Sequence, residues 1–134
     1  MAAVAPDRAA LADLVLRFTD AFNREDLDAV MAFIAEDAIY DQFNGALAVG
    51  RAAVRAAFEP QFRGDYGTMR FLTEDLFVDA TTGQAMIRWL CTLERDGLTR
   101  GWRGLDLLLV EHGLIKEKHT YAKADVPQLR AVGA

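Results

Sequence analysis

The sequence is poor in the residues on which disulfide, metal and nucleic-acid chemistry depend. Its one cysteine, Cys91, excludes an intrachain disulfide, and its two histidines, His112 and His119, have no spacing that resembles a zinc site. No metal and no cofactor is expected. Lysine and arginine number 15 against 20 acids, for a formal net charge of −5, and Lys116, Lys118 and Lys123 are scattered rather than clustered. That leaves no counterion-releasing surface, so no nucleic-acid partner is expected. No apolar run reaches membrane-spanning length, and the opening MAAVAPDRAALADLVLRF meets Asp7 before any signal-like apolar stretch. The expectation is a soluble, cytoplasmic protein with no membrane partner. Repeats, low-complexity tracts and linkers are also absent.

What is present describes a folded chain. A length of 134 residues with 52% hydrophobic content suits one core, and residues 1–134 read as a single domain. Leu11, Leu14, Val15, Phe18 and Phe22 recur with helical spacing between Asp7 and Asn23. A second helix is expected from the capping Asp26 through Leu27, Val30, Met31 and Ile34. The stretch EDAIYDQF then alternates with period two, placing Tyr40 and Gln42 on one face of a short strand. After a loop over 43–50, RAAVRAAFEPQF reads as a third helix ending near Pro60. Four strand-like segments follow, separated by TTG, DG and EHG, which predicts an antiparallel meander.

Turn chemistry fixes a register. Asp96-Gly97 suits a two-residue type I′ hairpin, so Arg95 should pair with Leu98, Trp89 with Gly104, Cys91 with Trp102 and Ile87 with Asp106. A three-residue turn at Glu111-His112-Gly113 would pair Val110 with Leu114, setting Asp106 opposite Lys118 and Gly104 opposite Thr120. One face then carries Ile87, Trp89, Cys91, Trp102, Gly104, Asp106, Leu108, Lys118 and Thr120, a mixture of aromatic, small and polar groups that describes a ligand pocket. The other carries Met86, Arg88, Leu90, Arg103, Leu105, Leu107, Leu109, Ile115, His119 and Tyr121. Three helices cannot cover both faces, so a homodimer through Leu105, Leu107 and Leu109 is expected.

Asp106 and Lys118 admit two readings. An exposed cross-strand ion pair is worth only about 0.2–1 kcal/mol. Buried, the same pair becomes a polar handle that orients a substrate atom. Cys91, among apolar neighbours, should have an inert thiol.

The segments LRFTDAFNREDLDAVMAFIAEDAIYDQFNG, VGRAAVRAAF and RGLDLLLVEHGLIKEKHTYAK together resemble the nuclear transport factor 2-like superfamily, in its SnoaL-like and ketosteroid isomerase-like branch. The resemblance spans nearly the whole chain and implies an α+β fold: a cone-shaped barrel of a curved antiparallel sheet with three N-terminal helices packed in its concave face. That scaffold hosts isomerases, cyclases, dehydratases, epoxide hydrolases and non-catalytic binders. The hydrogen-bond-donating acid of ketosteroid isomerases matches Asp106. Their proton-shuttling aspartate falls on Gln42 and their oxyanion-hole tyrosine on Phe18, neither of which can do that work. The last-strand aspartate of SnoaL-like cyclases and limonene-type epoxide hydrolases matches Thr120, while the Tyr-x-Asn of the hydrolases resembles Tyr40-Asp41-Gln42.

The expected function is binding of a small, mainly apolar, cyclic or carbonyl-bearing metabolite, with cofactor-free isomerase, cyclase or lyase chemistry if the protein is catalytic. Asp106, Lys118 and Tyr40 are the candidate catalytic residues. Gln42, Phe18, Phe22, Trp89, Cys91, Trp102 and Thr120 are the candidate substrate-binding ones. The alternative is a non-catalytic ligand-binding or protein-interaction domain.

Overall fold

Asp7 starts the first helix: its carboxylate accepts the Ala10 amide at 2.7 Å and satisfies one of the unpaired donors of α1 (Arg8–Asn23). The computed structural model describes residues 7–123, so both ends of the expected 1–134 domain lie outside the described residues. Leu11, Leu14, Val15, Phe18 and Phe22 form the buried stripe of α1, as their spacing predicts. At its end, the Asn23 side chain both accepts from the Phe71 amide and donates to the Phe71 carbonyl, tying the helix to β3 (Thr68–Asp79).

The second helix is shorter than its spacing predicts. Asp26 caps α2 (Leu27–Met31) through Ala29, but the helix stops at Met31. The β-branched Ile34 instead opens β1 (Ile34–Asp41) and pairs with Ile115. A three-residue strand, β2 (Leu47–Val49), lies within the stretch read as loop 43–50 and is too short to show a period. Helix α3 (Arg51–Phe62) passes Pro60 and ends two residues later. A proline removes only its own N–H, and the Arg63 amide still reaches the Glu59 carbonyl at 2.9 Å.

The meander comprises β3, β4 (Gln84–Arg95), β5 (Leu98–Glu111) and β6 (Leu114–Ala122). The six strands run in the order β2-β1-β6-β5-β4-β3. The α+β class stands, with the helices packed on one side of a curved, unclosed sheet. Two details differ from an all-antiparallel barrel. Strand β1 runs parallel to β6, and β2 and β3 remain as separate edges. Among the described residues, no helix is long and apolar enough to cross a membrane.

Asp96 and Gly97 both have positive φ, at 52° and 77°, and the whole β4–β5 register follows the count made from their turn. The next turn differs. His112 and Gly113, at φ 53° and 75°, form a two-residue turn that pairs Glu111 with Leu114 and Val110 with Ile115. Between Ile115 and Glu117 the strand bulges, leaving Lys116 without a partner on β5. Asp106 therefore lies opposite Thr120, and Lys118 opposite Leu108, two residues further along than the longer turn would have set them.

The bulge determines which residues face inward. A two-residue turn alone would send Lys118 and Thr120 to the outer face; the extra residue restores them to the inner one. Ile115 lies before the bulge: the shorter turn itself pairs it with inward-facing Val110 and carries it, expected on the outer face, into the core at 1% exposure. On the outer face His119 holds Asp41 at 3.1 Å and Glu117 at 2.9 Å, and hydrogen bonds first to Glu117 and then to Asp41 raise its pKa above the usual 6.5.

Deleting Lys116 should reverse the two inward side chains and abolish a cooperative urea transition. Lys116→Ala keeps the residue count, and its urea midpoint should stay close to that of the wild type.

Candidate functional site

The inner face of the sheet and the helices enclose a cavity of about 340 Å³, within the range typical of small-molecule sites. Phe18 and Phe22 reach it from α1, Phe58 from α3, and Tyr40 from the end of β1, with Gln42 just beyond. The meander contributes Phe71, Trp89, Trp102, Asp106, Lys118 and Thr120. Phe43 and Tyr66 also line it and are 60% and 52% exposed, which places them at its opening.

The aromatic walls brace one another. Trp89 meets Phe71 at 5.1 Å between ring centroids, Phe71 meets Phe22 at 5.8 Å, Phe22 meets Phe58 at 5.2 Å and Phe58 meets Tyr40 at 5.0 Å. The first three contacts are edge-to-face, the arrangement favoured by ring quadrupoles. The Lys118 ammonium lies 4.5 Å from the Tyr40 ring centre, a cation–π distance. Lys118 bonds Asp106 and Asp106 bonds Trp89, so these side chains form a closed circuit around the cavity.

Asp106 is the polar centre of that circuit. One carboxylate oxygen accepts from the Lys118 ammonium at 3.0 Å and from the Thr120 hydroxyl at 2.5 Å, and the other accepts from the Trp89 indole at 3.1 Å. Lys118 also donates to Thr120 at 2.8 Å. Its oxygens already accept three donors from its own chain, so Asp106 is unsuited to the donor role that its counterpart plays in ketosteroid isomerases. Burial works hardest against the Lys118 charge, but the Asp106 carboxylate and then Tyr40 outweigh it, holding the lysine pKa above its ordinary 10.5. Both side chains are nearly enclosed, at 8% and 11% exposure, which favours the buried-handle reading over the exposed surface pair.

Gly104 makes this geometry attainable. It lies opposite Trp89, and a side chain there would stand 2.5 Å from the Tyr121 carbonyl oxygen and 2.6 Å from the indole. With glycine, the indole can lie across the strand and reach Asp106.

The structure brings Asp106, Lys118, Tyr40, Gln42, Phe18, Phe22, Trp89, Trp102 and Thr120 to the cavity. Cys91 is a correction. It points inward as expected but is fully buried behind the walls and does not line the cavity. Burial pushes its thiol up to about 12, consistent with an inert side chain.

Sequence reasoning missed Met69 and Phe71 on β3, and Phe58 as a wall. The β3 residues had a signal. Leu76 and Val78 pack inward at even positions while Met69 and Phe71 do so at odd ones, which requires an extra residue between them. That residue is Glu74, bulged between Thr73 and Asp75. Phe58 was placed on the buried side of its helix, but nothing local showed which helix end meets the sheet.

Asp106→Asn should cost about 3–5 kcal/mol in urea unfolding, because it strands a buried ammonium. Adding Lys118→Met should recover most of that loss. Because folding raises the Lys118 pKa, the pair stabilises the fold fully below pH 10.5 and less as pH climbs through the higher folded value. The wild type should therefore lose more stability in that alkaline window than the double variant.

Residues 15–118 match the SnoaL-like domain family. No curated protein matches the chain in sequence. Among solved structures it is similar to an NTF2-like protein of unknown function from Mesorhizobium loti, at 28% identity over 89% of this chain and 97% of that one, with a TM-score of 0.74. A candidate polyketide cyclase from Xanthomonas campestris pv. campestris is similar at 24% identity, over 85% of this chain and 90% of the other, with a TM-score of 0.74. A candidate SnoaL-like polyketide cyclase from Jannaschia sp. CCS1 shares 13% identity over 91% of both chains, with a TM-score of 0.75. At those two identities the likeness concerns the fold alone.

Proposed function

The chain belongs to the SnoaL-like family of the NTF2-like superfamily, and from that membership we propose that it binds a small, mainly apolar, cyclic or carbonyl-bearing metabolite inside its sheet. The observation that carries this reading is the cavity itself: a void of about 340 Å³ with aromatic walls and one polar end. Rings of the ligand pack on Phe22, Phe58, Phe71 and Trp89, and its oxygen is directed toward Lys118 and Asp106.

Proton-transfer chemistry of the isomerase, cyclase or lyase kind suits this arrangement. Lys118 then stabilises negative charge developing on the ligand oxygen, Asp106 holds Lys118 in place or moves a proton, and Tyr40 and Gln42 position substrate or water. The second reading, a binder without chemistry, is favoured by one feature: the Asp106 carboxylate already takes three donors from its own chain.

A thermal-shift and turnover screen against steroid enones, phenolic polyketide-like compounds and terpenoid epoxides separates these readings. A ligand at a hundred times its Kd should stabilise the wild type by about 2.7 kcal/mol. Turnover that falls at least about tenfold in both Asp106→Asn and Lys118→Met, in folded protein, supports catalysis. Binding without turnover supports the binder, and no stabilisation by any class counts against the site.

We also propose that two copies pair through the outer sheet face bearing Leu105, Leu107 and Leu109. Phe77, Met86 and Leu107 form a row there across β3, β4 and β5, with Phe77 61% and Leu107 43% exposed. Light scattering should give a dimer mass, and Leu107→Glu should give a monomer. A monomeric wild type at every concentration would sink the dimer.

A further inference from the structure

Among the described residues, Asp106 and Lys118 are the only members of the cavity lining that carry formal charge. The remaining polar groups are the hydroxyls of Thr19, Tyr40, Tyr66 and Thr120, the amides of Gln42 and Gln61, and the Trp89 and Trp102 indoles. We propose that this electroneutral lining makes the site selective for uncharged ligands, such as ring carbonyls, phenols and alcohols, over carboxylates and amines of the same shape. The proposal rests on the ligand-binding reading above and names the substrate class for that site.

Neither charge is free to recruit a counter-ion. The Asp106 carboxylate takes the ammonium at 3.0 Å, the Thr120 hydroxyl at 2.5 Å and the Trp89 indole at 3.1 Å. The ammonium spends two of its three protons on Asp106 and Thr120, and the Tyr40 ring lies 4.5 Å from its nitrogen. A ligand carboxylate drawn to Lys118 must share one cation with Asp106, placing two like charges together where little water can screen them. A ligand ammonium drawn to Asp106 meets Lys118 in the same way.

An uncharged oxygen avoids both conflicts. A carbonyl can accept from Lys118 without displacing Asp106, and a hydroxyl can donate to the carboxylate oxygen that holds only the indole. Among the described residues, nothing else in the lining offsets a net ligand charge, whereas the aromatic walls accept any ring. Pairing Asp106 with Lys118 therefore acts as a specificity device, keeping the cavity polar at one end and neutral overall.

The test is calorimetric titration at neutral pH with three probes on one ring system: naphthol, naphthoate and naphthylmethylammonium. Wild type should bind naphthol at least about tenfold more tightly than either ion, since each ion must disturb a buried pair. Asp106→Asn leaves Lys118 unopposed and should shift the preference toward naphthoate. Lys118→Met leaves Asp106 unopposed and should shift it toward the ammonium.

Equal binding of naphthol and an ion to the wild type overturns the proposal, as does a folded single variant with unchanged preference. If either single variant fails to fold, the wild-type ranking and the Asp106→Asn/Lys118→Met double variant decide. That variant carries no lining charge and should still favour naphthol, and a double variant that prefers an ion overturns the proposal. No binding of any probe to any of these proteins overturns the ligand-site reading itself, a different failure from loss of selectivity.

Discussion

The site depends on one buried carboxylate being fully satisfied. Asp106, on β5, takes donors from the two strands that flank it: Trp89 on β4, and Lys118 and Thr120 on β6. An unpaired charge at such depth is costly, so its partners are constrained as tightly as any apolar contact in the core. Fixing them fixes the indole, the indole supports Phe71, and the chain of rings leads back through Tyr40 to the lysine. A cavity persists because its walls are held by each other rather than by whatever fills it. No buried side-chain nitrogen or oxygen among the described residues lacks a partner.

What was legible in the sequence follows from how local its cause is. The Asp96-Gly97 turn states its own geometry, and the β4–β5 register came from it residue for residue. The shared inner face of Asp106, Lys118 and Thr120 was also legible, although the pairing along it was not. The turn at His112-Gly113 is one residue shorter than read, and the bulge at Lys116 restores the facing of the side chains while shifting their pairing by a second residue. Neither bulged residue, Glu74 or Lys116, belongs to a type that demands an irregularity. Their effect appears only in the parity of apolar positions on either side. Strand direction is less local still: the parallel pairing of β1 with β6 depends on elements far apart in the chain.

Family membership and the polar end of the cavity are different kinds of information. The fold explains why there is an enclosed space at all, between a curved sheet and helices on one side of it. It does not determine what stands at the bottom of that space. At the positions that the resemblance matches to ketosteroid isomerase and cyclase machinery, this chain has Gln42, Phe18 and Thr120. Thr120 serves here as a bridge, accepting from Lys118 and donating to Asp106. The pair is thus built from this chain's own residues on a scaffold shared with its relatives.

The parallel pairing of β1 with β6 also bears on the order of assembly. The meander joins neighbours through short turns, so its contacts close small loops, and Trp89, Asp106, Lys118 and Thr120 all lie within it. Tyr40, Phe22 and Phe58 come from the first half of the chain and meet those residues only across long sequence separations. Contacts of that kind carry the largest loop-closure entropy and slow the search. The hydrophilic floor can therefore nucleate early as part of a hairpin array, while the roof is delivered late. Until then the ion pair stands in water, where its charges are screened and inexpensive, so the desolvation cost falls at the last stage of folding.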